Sequence, residues 1–365
     1  MPIERRSLLV GALAAALSSA CGRLPVARES RFISGASDAH GAHYLAAFDG
    51  HGEVQWRTPL PFRGHEVVPS LDGEYAVLVA RRPGTGLVRV RLTDGAVLTQ
   101  TVAGPDRHFY GHGAITQDGA HLLTSENDFA RERGVVSVRD ARTLKVLEEY
   151  PSYGIGPHEL RWLSDHRTLA IANGGISTHP AYGRSKLNVP DMQPSLALVD
   201  TQSWQLIGST KPQVHLNSVR HIDVLPDDRV IIGMQHQGEH GTDIPIVAIS
   251  SLDQGVRALP CPPADLHALA MYVADVCVDP ATGHAVATCP RGNRITFWDT
   301  AHNAYVGSLR LADAAGVCID SSTNEFVVTS GRGNIYRLGV SDFTLRADKT
   351  ARAPGLRWDN HVVAV

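Results

Sequence analysis

The segment GIGPHELRWLSDHRTLAIANGG, residues 154–175, decides the fold because its pattern recurs along the chain. An alternating apolar stretch is followed by a turn containing Asp165, a second apolar run and an Asn-Gly-Gly turn. Alternation with a period of two predicts β-strands, and Asp and Gly are typical turn residues. Each copy continues with a polar loop and two further predicted strands. Six such segments start near residues 64, 111, 157, 219, 273 and 314.

A four-stranded repeat of roughly 40 to 60 residues is typical of β-propeller blades. The chain ends supply a seventh blade, since residues 32–61 contain three predicted strands and residues 358–365, WDNHVVAV, form one. Sharing one blade between the ends closes the ring and leaves no open sheet edge. We therefore predict an all-β, seven-bladed propeller whose N- and C-terminal strands share one blade, with eight blades as the alternative. Sustained helical periodicity is missing after residue 20, so the predicted helix content is very low.

The first residues resemble an export signal. Arg5 and Arg6 precede an apolar run over residues 8–17, which is too short to span a bilayer, and small residues follow it. Paired arginines at this position are similar to the twin-arginine signal. We predict a twin-arginine-like export signal over residues 1–20, a linker over 21–31 and a single β-propeller domain over 32–365.

These features predict a periplasmic protein without a transmembrane span in its mature form. Cys21, directly after the predicted cleavage site, is a candidate lipid anchor, although Ser18 stands where lipid-attachment sites usually carry leucine. Four more cysteines show no CxxC or Cys-His metal spacing, which excludes a zinc finger. Packing and disulfide formation both remain open for them. They are Cys261, Cys277, Cys289 and Cys318.

Composition excludes several classes of protein. With 43% hydrophobic and 19% charged residues, the chain is neither disordered nor an integral membrane protein. Its net charge of −3 gives no basic footprint for nucleic acid. The sequence has no G-x-S-x-G, no Walker loop and no Ser-His-Asp order. The 18 histidines are therefore the most informative feature.

Five histidines lie at the starts of predicted inner strands: His65, His112, His158, His221 and His361. In a propeller the first strand of each blade lines the central channel, so the starts of these strands and the loops between second and third strands lie at one mouth. The other two blades carry Asp275 and Ala315 near the matching position. We predict that the five imidazoles converge on a ligand or metal site.

A structural role is the alternative for the same histidines. In WD-type propellers a Gly-His before the inner strand ties blades together through an Asp in a tight turn, and Gly64-His65 and Gly111-His112 have this form. The first four histidines stand six or seven residues before the turn aspartates of their blades, Asp72, Asp118, Asp165 and Asp227. Adjacent positions on a strand point to opposite faces, so this one-residue difference counts against convergence.

Polar loops are predicted at the same mouth. They contribute His179, His236, His240, Glu126, Asp128 and Asn173. Neutral imidazoles with a carboxylate such as Glu159 or Glu126 suit a divalent metal such as Fe, Cu or Zn. Arginines bind carboxylates and phosphates in a bidentate fork, so the mouth could equally receive such a ligand. The candidate arginines are Arg161, Arg220 and Arg291.

Taken together, five phrases resemble the exported family called domain of unknown function 1513. They are HFYGHGAITQDGAHLLTSENDF, GIGPHELRWLSDHRTLAIANGGISTHP, SVRHIDVLPDDRVIIGMQHQG, DVCVD and WDNHVVAV. The resemblance runs from about Phe32 to Val365 and implies an exported seven-bladed propeller of the WD40/YVTN type. Such families resemble components encoded beside imelysin-type and di-haem periplasmic proteins, which implies a place in iron acquisition with periplasmic iron-uptake proteins as partners. The resemblance carries over no catalytic residue. The positions that match its motifs are His112, His158, Glu159, Asn173, His179, His221, Gln235 and His361.

Three hypotheses follow, and the sequence favours the first. In the first, the propeller is a binding protein for a metal species or an iron-uptake partner. Its ligand-binding residues are then His112, His158, Glu159, Asn173, His179, Arg220, His221 and Gln235. In the second, it is an enzyme resembling propeller lactonases or cyclases, with His158 and Glu159 as acid or base and Arg161 holding a carboxylate. In the third, it is a scaffold for other proteins.

Overall fold

The computed structural model describes residues 31–239 and 243–365 and confirms a seven-bladed β-propeller. The predicted export signal, Cys21 and His240 lie outside the described residues. Each blade is one four-stranded antiparallel sheet, and the blades are numbered I to VII around the ring.

The four strands of a blade lie side by side, and the first one named in each blade lines the channel. Blade I contains β28 (Arg357–Ala364), β1 (Arg31–Ser37), β2 (His43–Asp49) and β3 (Val54–Leu60). Blade II contains β4 (Gly64–Pro69), β5 (Tyr75–Ala80), β6 (Gly86–Arg91) and β7 (Val97–Val102). Blade III contains β8 (Arg107–Ile115), β9 (His121–Asp128), β10 (Arg133–Asp140) and β11 (Val146–Pro151). Blade IV contains β12 (Pro157–Trp162), β13 (Thr168–Asn173), β14 (Ser195–Asp200) and β15 (Gln205–Thr210).

The remaining blades repeat this order. Blade V contains β16 (Asn217–Val224), β17 (Val230–His236), β18 (Val247–Ser251) and β19 (Gly255–Ala258). Blade VI contains β20 (Asp275–Val278), β21 (His284–Cys289), β22 (Arg294–Asp299) and β23 (Ala304–Arg310). Blade VII contains β24 (Ala314–Asp320), β25 (Glu325–Ser330), β26 (Asn334–Gly339) and β27 (Ala351–Arg352).

Blade I closes the ring as predicted from the chain ends. The C-terminal strand β28 pairs antiparallel with β1, and Phe32 lies opposite Ala364. The Ser34 hydroxyl adds a hydrogen bond of 2.6 Å to the carbonyl oxygen of His361. Pairing the two chain ends removes the unpaired strand edge that an open ring would expose.

Burial follows the position of a strand within its blade. Every residue of β5, β13 and β25, the second strands of their blades, is buried, because both faces pack against neighbouring blades. The outermost strands, such as β7 and β11, are largely exposed. Buried valine, leucine and isoleucine side chains each contribute about 1.5–3 kcal/mol, so the inter-blade packing provides most of the stability that holds the channel in shape.

Helical structure is sparse, as predicted. Within the described residues there is one short α-helix, α1 (Pro263–Ala268). There are also four 3-10 turns, at Pro180–Tyr182, Val189–Asp191, Pro290–Gly292 and Ala347–Lys349. No helix in this described part has the length and apolar character needed to cross a membrane.

The inner strands share a feature that the repeat pattern does not reveal. The register of β4, β8, β12, β16, β24 and β28 shifts against the partner strand near the start of the strand or, in β28, near its middle. These shifts are β-bulges, which place extra residues on one strand and change the direction of their side chains. Five of these bulges contain a predicted histidine or lie next to one, the sixth lies at Ala314–Gly316, and together they shape the central channel.

Candidate functional site

The five predicted histidines form a compact cluster of imidazoles in the central channel, in which His112 also lies 4.7 Å from His361. Neighbouring ring centroids are 4.5 to 5.0 Å apart in the order 65, 112, 158, 221, 361 and back to 65. All five residues are between 0% and 7% exposed. We call this set the histidine ring: His65, His112, His158, His221 and His361. Residues far apart in sequence thus meet at a single point of the fold.

The β-bulges explain how the ring forms despite the stagger of the histidines in sequence. In β12 the bulge lies between Pro157 and Leu160, so that both His158 and Glu159 take part in the contacts at the channel. In β8 the bulge includes Gly111, whose φ of 111° favours glycine. A Cβ at Gly111 would lie 2.3 Å from the ring of His65. The glycine is therefore required for the close approach of blades II and III.

Hydroxyl groups from neighbouring blades satisfy carbonyl groups freed by the bulges. The Ser125 hydroxyl donates to the carbonyl oxygen of His158 at 2.8 Å. The Thr288 hydroxyl donates in the same way to Ala315 at 2.6 Å. These bonds fix the backbone that carries the histidines, and they prevent an unpaired buried carbonyl.

Four of the five imidazoles contact a buried carboxylate through Nδ1. His112 contacts Glu66 at 3.1 Å and His221 contacts Glu159 at 3.2 Å. The same carboxylate oxygens accept the backbone N–H groups of Gly113 and Ile222. Each acidic residue belongs to the blade before its histidine, so these contacts also join adjacent blades.

The other two pairs complete the pattern. His65 contacts Asp359 of blade I at 3.4 Å. His361 contacts Asp275 at 3.1 Å, across blade VII, which contributes only Ala315 at this level. Asp275, at the histidine position of blade VI, thus supplies a carboxylate to the ring. The aspartates predicted as possible partners in the turns lie elsewhere, since Asp72 accepts a hydrogen bond from Ser70.

Four of the five ring imidazoles have a buried nitrogen atom without a partner. Nε2 of His112, His221 and His361 is buried without a hydrogen bond, and so is Nδ1 of His158. A carboxylate that accepts from Nδ1–H leaves the lone pair on Nε2, which is the arrangement usual for metal-ligating histidines. Donor atoms of two trios of ring histidines lie within 4.8 Å of one another. Donor atoms bound to one tetrahedral ion at about 2.1 Å would lie about 3.4 Å from one another. Metal binding would therefore draw the imidazole side chains closer together. The trios are His65, His112 and His361, and His112, His158 and His221.

Burial favours the neutral form of four of the five imidazoles. It lowers the pKa of His65, His158 and His221 well below the ordinary value, and it lowers that of His361 to about 4. Neighbouring imidazoles lower the pKa of His65, His158 and His221 further, and Arg161 and Arg81 lower that of His361, because adjacent cations repel each other. Neutral imidazole is the form that binds metals.

The acidic residues below the ring have divergent pKa values. Burial raises the pKa of Glu159 to about 8 and that of Asp275 well above its ordinary value. Burial would also raise the pKa of Glu66, but His112 and Arg161 hold it well below the usual range. A metal ion in the ring would favour the ionised form of all three carboxyl groups.

Arg161 closes the channel on the side of these acids. Its guanidinium donates to Glu66 at 2.9 Å and also forms an ion pair with Glu159. Glu66 compensates its charge, and both acidic side chains contact the guanidinium, so a substrate carboxylate would have to displace them. In the predicted catalytic trio, His158 faces the ring while Glu159 and Arg161 engage each other.

The opposite side of the ring opens into a cationic funnel. A cavity of about 180 Å³ is lined by ring histidines, by Arg220, Gln235 and His236, and by cations from the loops between second and third strands. The inner strands begin at this mouth, as the sequence analysis predicts. We call the following set the basic mouth: Arg81, Arg82, Arg184, Lys186, Arg220 and Arg291.

Other predicted residues lie away from the ring. His179 caps the turn at Pro180–Tyr182 and packs against Phe129. Asn173 is buried and donates to the carbonyl oxygen of Ser152. Glu126 forms an ion pair with Arg139 at 2.7 Å. Asp128 likewise pairs with Arg131 and Arg133. These polar groups satisfy one another and do not line the channel cavity.

The four cysteines in the described part of the chain are free thiols. Cys277 and Cys318 lie at the far end of the channel, where burial raises the pKa of both. Cys261 and Cys289 are also unpaired. The packing interpretation of these residues therefore agrees with the structure better than a disulfide.

Sequence comparison identifies the family. The profile described as "Protein of unknown function (DUF1513)" matches residues 58–365. The chain belongs to the DUF1513 family. The match covers blades II to VII, β28 and the end of β3. No curated protein matches this DUF1513 chain.

Solved structures share the fold of this DUF1513 protein. Hydrazine synthase from Kuenenia stuttgartiensis is similar with a TM-score of 0.61 and 13% identity, covering 86% of this chain and 90% of the other. BamB from Moraxella catarrhalis is similar with a TM-score of 0.52 and 12% identity, covering 91% of this chain and 92% of the other. At these identities the likeness establishes a shared propeller architecture.

Sequence reasoning missed several residues of the site. Glu66 and Asp359 were not recognised as partners of histidines, although each lies within two positions of one in sequence. An acidic residue next to a histidine at a strand start was the available signal. The loop cations Arg81, Arg82, Arg184 and Lys186 carried no signal, because only the ring closure brings their loops together.

Proposed function

We propose that this DUF1513 propeller is a binding protein that holds a transition-metal ion in the histidine ring. The observation that carries the proposal is the set of buried, unpartnered imidazole nitrogens that converge while carboxylates hold the opposite nitrogens. A buried polar atom without a partner costs about 1–3 kcal/mol. Three of these residues, His112, His158 and His221, also have donor atoms within 4.8 Å of one another, and an ion bound among them would supply the missing partner.

The donor set indicates the class of metal. Imidazole suits Zn, Cu, Fe and Ni, whereas Mg and Ca prefer oxygen ligands. The carboxylates contact the imidazoles and serve as outer partners that orient the ligands. Fe, Cu and Zn, the metals predicted from the sequence, all remain candidates.

We further infer that the protein acts in the periplasm, exported by its twin-arginine-like signal, as a WD40/YVTN-type propeller in iron acquisition. The support is the sequence of residues 1–20 and the family resemblance. Export through this pathway takes proteins already folded, so a metal could be loaded before export. A lipid anchor at Cys21 and docking of periplasmic iron-uptake proteins belong to the same proposal.

Binding receives more support than catalysis. In the lactonase-like or cyclase-like alternative, Arg161 would hold a substrate carboxylate, but Glu66 and Glu159 already engage it. The scaffold alternative gives no reason for unpartnered nitrogen atoms in the channel. It predicts instead that a periplasmic partner co-purifies even when the ring histidines are replaced.

The test is elemental analysis of protein exported through its own signal, followed by chelation and titration with Zn, Cu and Fe salts. We expect about one ion per chain, and binding weakened at least about tenfold in His158→Ala and His221→Ala. His302→Ala is the matched control, since its side chain is 80% exposed on a turn of blade VI. Circular dichroism checks that each variant folds. Unchanged binding in both ring variants, or protein that is metal-free and takes up no metal, would refute the proposal.

A further inference from the structure

The basic mouth concentrates positive charge from four blades. Arg81 and Arg82 follow β5, Arg184 and Lys186 lie between β13 and β14, Arg220 lies in β16 and Arg291 follows β21. All six line the cavity above the histidine ring. Convergence of several loops on one cavity is typical of binding sites in folds of this kind.

This charge is poorly compensated. Arg81 forms an ion pair with Asp359 at 2.7 Å. Among the described residues, no carboxylate forms an ion pair with any of the other five cations. These are Arg82, Arg184, Lys186, Arg220 and Arg291. Like charges gathered in a partly dehydrated cavity repel one another, and an anion would relieve that repulsion.

Two of these arginines are buried and held in place without a counter-ion. Arg82 is 8% exposed, and its Nη1 is buried without a hydrogen bond. Arg220 is 5% exposed and donates from Nε to the Ser218 hydroxyl at 2.8 Å. A Cβ on Gly174 would lie 3.1 Å from the Arg220 guanidinium, so the guanidinium packs closely against the Gly174 backbone. Buried guanidinium groups with free donors are the elements from which oxyanion sites are built.

The remaining cations are positioned around them. Arg291 lies over the ring of Tyr272 at 4.1 Å, a contact that limits its freedom. Burial, followed by repulsion from neighbouring cations, lowers the pKa of Arg82 and Arg184 to about 10. Both groups therefore stay charged at neutral pH.

The size of the cavity limits the ligand. Its volume of about 180 Å³ is smaller than the roughly 300–1,000 Å³ of sites for drug-sized molecules. A larger cavity of about 880 Å³ contains Asp38 and Asp313 among its cations, so its charge is partly balanced. The smaller, unbalanced cavity suits a compact ligand with several negative charges.

We propose that the basic mouth binds a small, multiply charged oxyanion, a di- or tricarboxylate or a phosphate, directly above the histidine ring. Guanidinium groups recognise both kinds of oxyanion through paired N–H donors. The site requires no metal, so it stands independently of the proposed metal-binding function.

The same charge has a consequence for metal entry, which rests on the proposed function. Six cations at the mouth repel a bare metal ion and attract an anionic complex. A metal that enters through this mouth would then travel with its carboxylate or phosphate ligand.

The test uses calorimetry on the metal-free full chain at constant ionic strength, with citrate, inorganic phosphate and acetate as probes. We expect citrate or phosphate to bind at least about tenfold tighter than acetate, because several cations act together. Arg184→Gln/Lys186→Gln, on an exposed loop, and Arg82→Gln should each weaken that binding about tenfold or more. The control Arg142→Gln/Lys145→Gln removes equal charge from an exposed turn of blade III and should leave affinity within about twofold.

Equal binding of acetate and citrate, equal weakening by the mouth and control variants, or no binding at millimolar probe would overturn the proposal. The relative affinities of citrate and phosphate decide which oxyanion the mouth prefers. The proposal that the metal enters as an anionic complex is tested by titrating the protein with citrate complexed to the metal that elemental analysis finds. Tighter binding of the complex than of citrate, lost in His158→Ala, supports entry as a complex. Equal binding refutes that consequence and leaves the anion site intact.

Discussion

The two ends of the channel are built by the same inner strands and have opposite chemistry. At one end lie the basic mouth and the histidine ring. At the other, a cavity of about 460 Å³ is lined mainly by apolar side chains and the free thiols, and its inner wall includes Glu66, Arg161, Asp223, Asp275 and His361. We call this the apolar mouth, and it includes Val67, Val68, Ala114, Ile115, Cys277, Cys318, Val362 and Val363.

The difference follows from the order of residues along each inner strand. In β4, for example, His65 and Glu66 come first and Val67 and Val68 follow. Strands that run in the same direction repeat this order around the ring, so one level becomes polar and the next apolar. Apolar walls require no hydrogen-bond partners, whereas the unpartnered nitrogens of the histidine ring do. Ligand binding is therefore expected at one end only.

The largest expected effect comes from removing two ring ligands. His112→Ala/His361→Ala should weaken metal binding by more than about 100-fold, since loss of one outer partner alone typically costs about 10- to 100-fold. Cys277→Ser/Cys318→Ser changes the apolar mouth and should leave metal affinity unchanged. Competition with a chromophoric chelator measures both. Comparable losses in the two double variants would show that the distinction between the ends is wrong.

A smaller effect is expected from an outer carboxylate. Glu66→Gln removes the charge that orients His112 and should weaken metal binding about 10- to 100-fold. Glu126→Gln is a matched control, because it also breaks a buried ion pair, in this case with Arg139, away from the ring. Both variants should lose stability in denaturant unfolding, and only Glu66→Gln should lose metal affinity. A parallel loss in both would mean that Glu66 acts through general stability.

Acid should destabilise the metal-free protein. Unfolded histidines take up protons near pH 6.5, whereas burial lowers the pKa of His65, His158, His221 and His361 in the folded protein. Between these values the unfolded state binds more protons, so the free energy of unfolding falls as pH drops below about 6.5. Each of the four histidines contributes a slope of about 1 kcal/mol per pH unit. Glu159 and Asp275 oppose it by a similar amount each, because their raised pKa values make the folded state hold the extra proton in this range, so the net slope is that of about two histidines.

Urea unfolding of metal-free protein at pH 7, 6 and 5 measures this slope, and His221→Asn should reduce it. Saturating metal should delay the loss to lower pH, because bound metal competes with protons. A free energy of unfolding that stays constant from pH 7 to 5 would contradict the neutral, buried state of the ring.

The smallest effect is expected at the apolar mouth. Ile115→Val removes one methyl group from a half-buried side chain and should cost about 0.5–1.5 kcal/mol of stability. Metal and oxyanion affinities should stay within about twofold of the original protein. Thermal unfolding measures the change in stability, and calorimetry measures the metal and oxyanion affinities. A larger change in affinity would show that the two ends of the channel are coupled.

Much of this architecture is readable from local patterns. Period-two alternation and Asp/Gly turns predicted the blades, and the unpaired strand at residues 358–365 predicted the shared blade I. The histidines were identified because they recur at the same place in the repeat. The polar loops predicted the lining of the cavity less well. Glu126 and Asp128, which were predicted at the mouth, form ion pairs away from it, whereas Arg82 and Arg184, which were not predicted, line the cavity.

The number of blades, the closure of the ring and the level at which the histidines enter the channel follow from local sequence patterns, because strand periodicity and repeat length are local properties. The directions of the side chains, the acidic partners of the imidazoles and the gathering of the cations arise only in the folded ring. β-Bulges shift the register by one or two residues, and ring closure brings together residues such as Asp275 and His361. Both depend on contacts between blades, which no local pattern encodes.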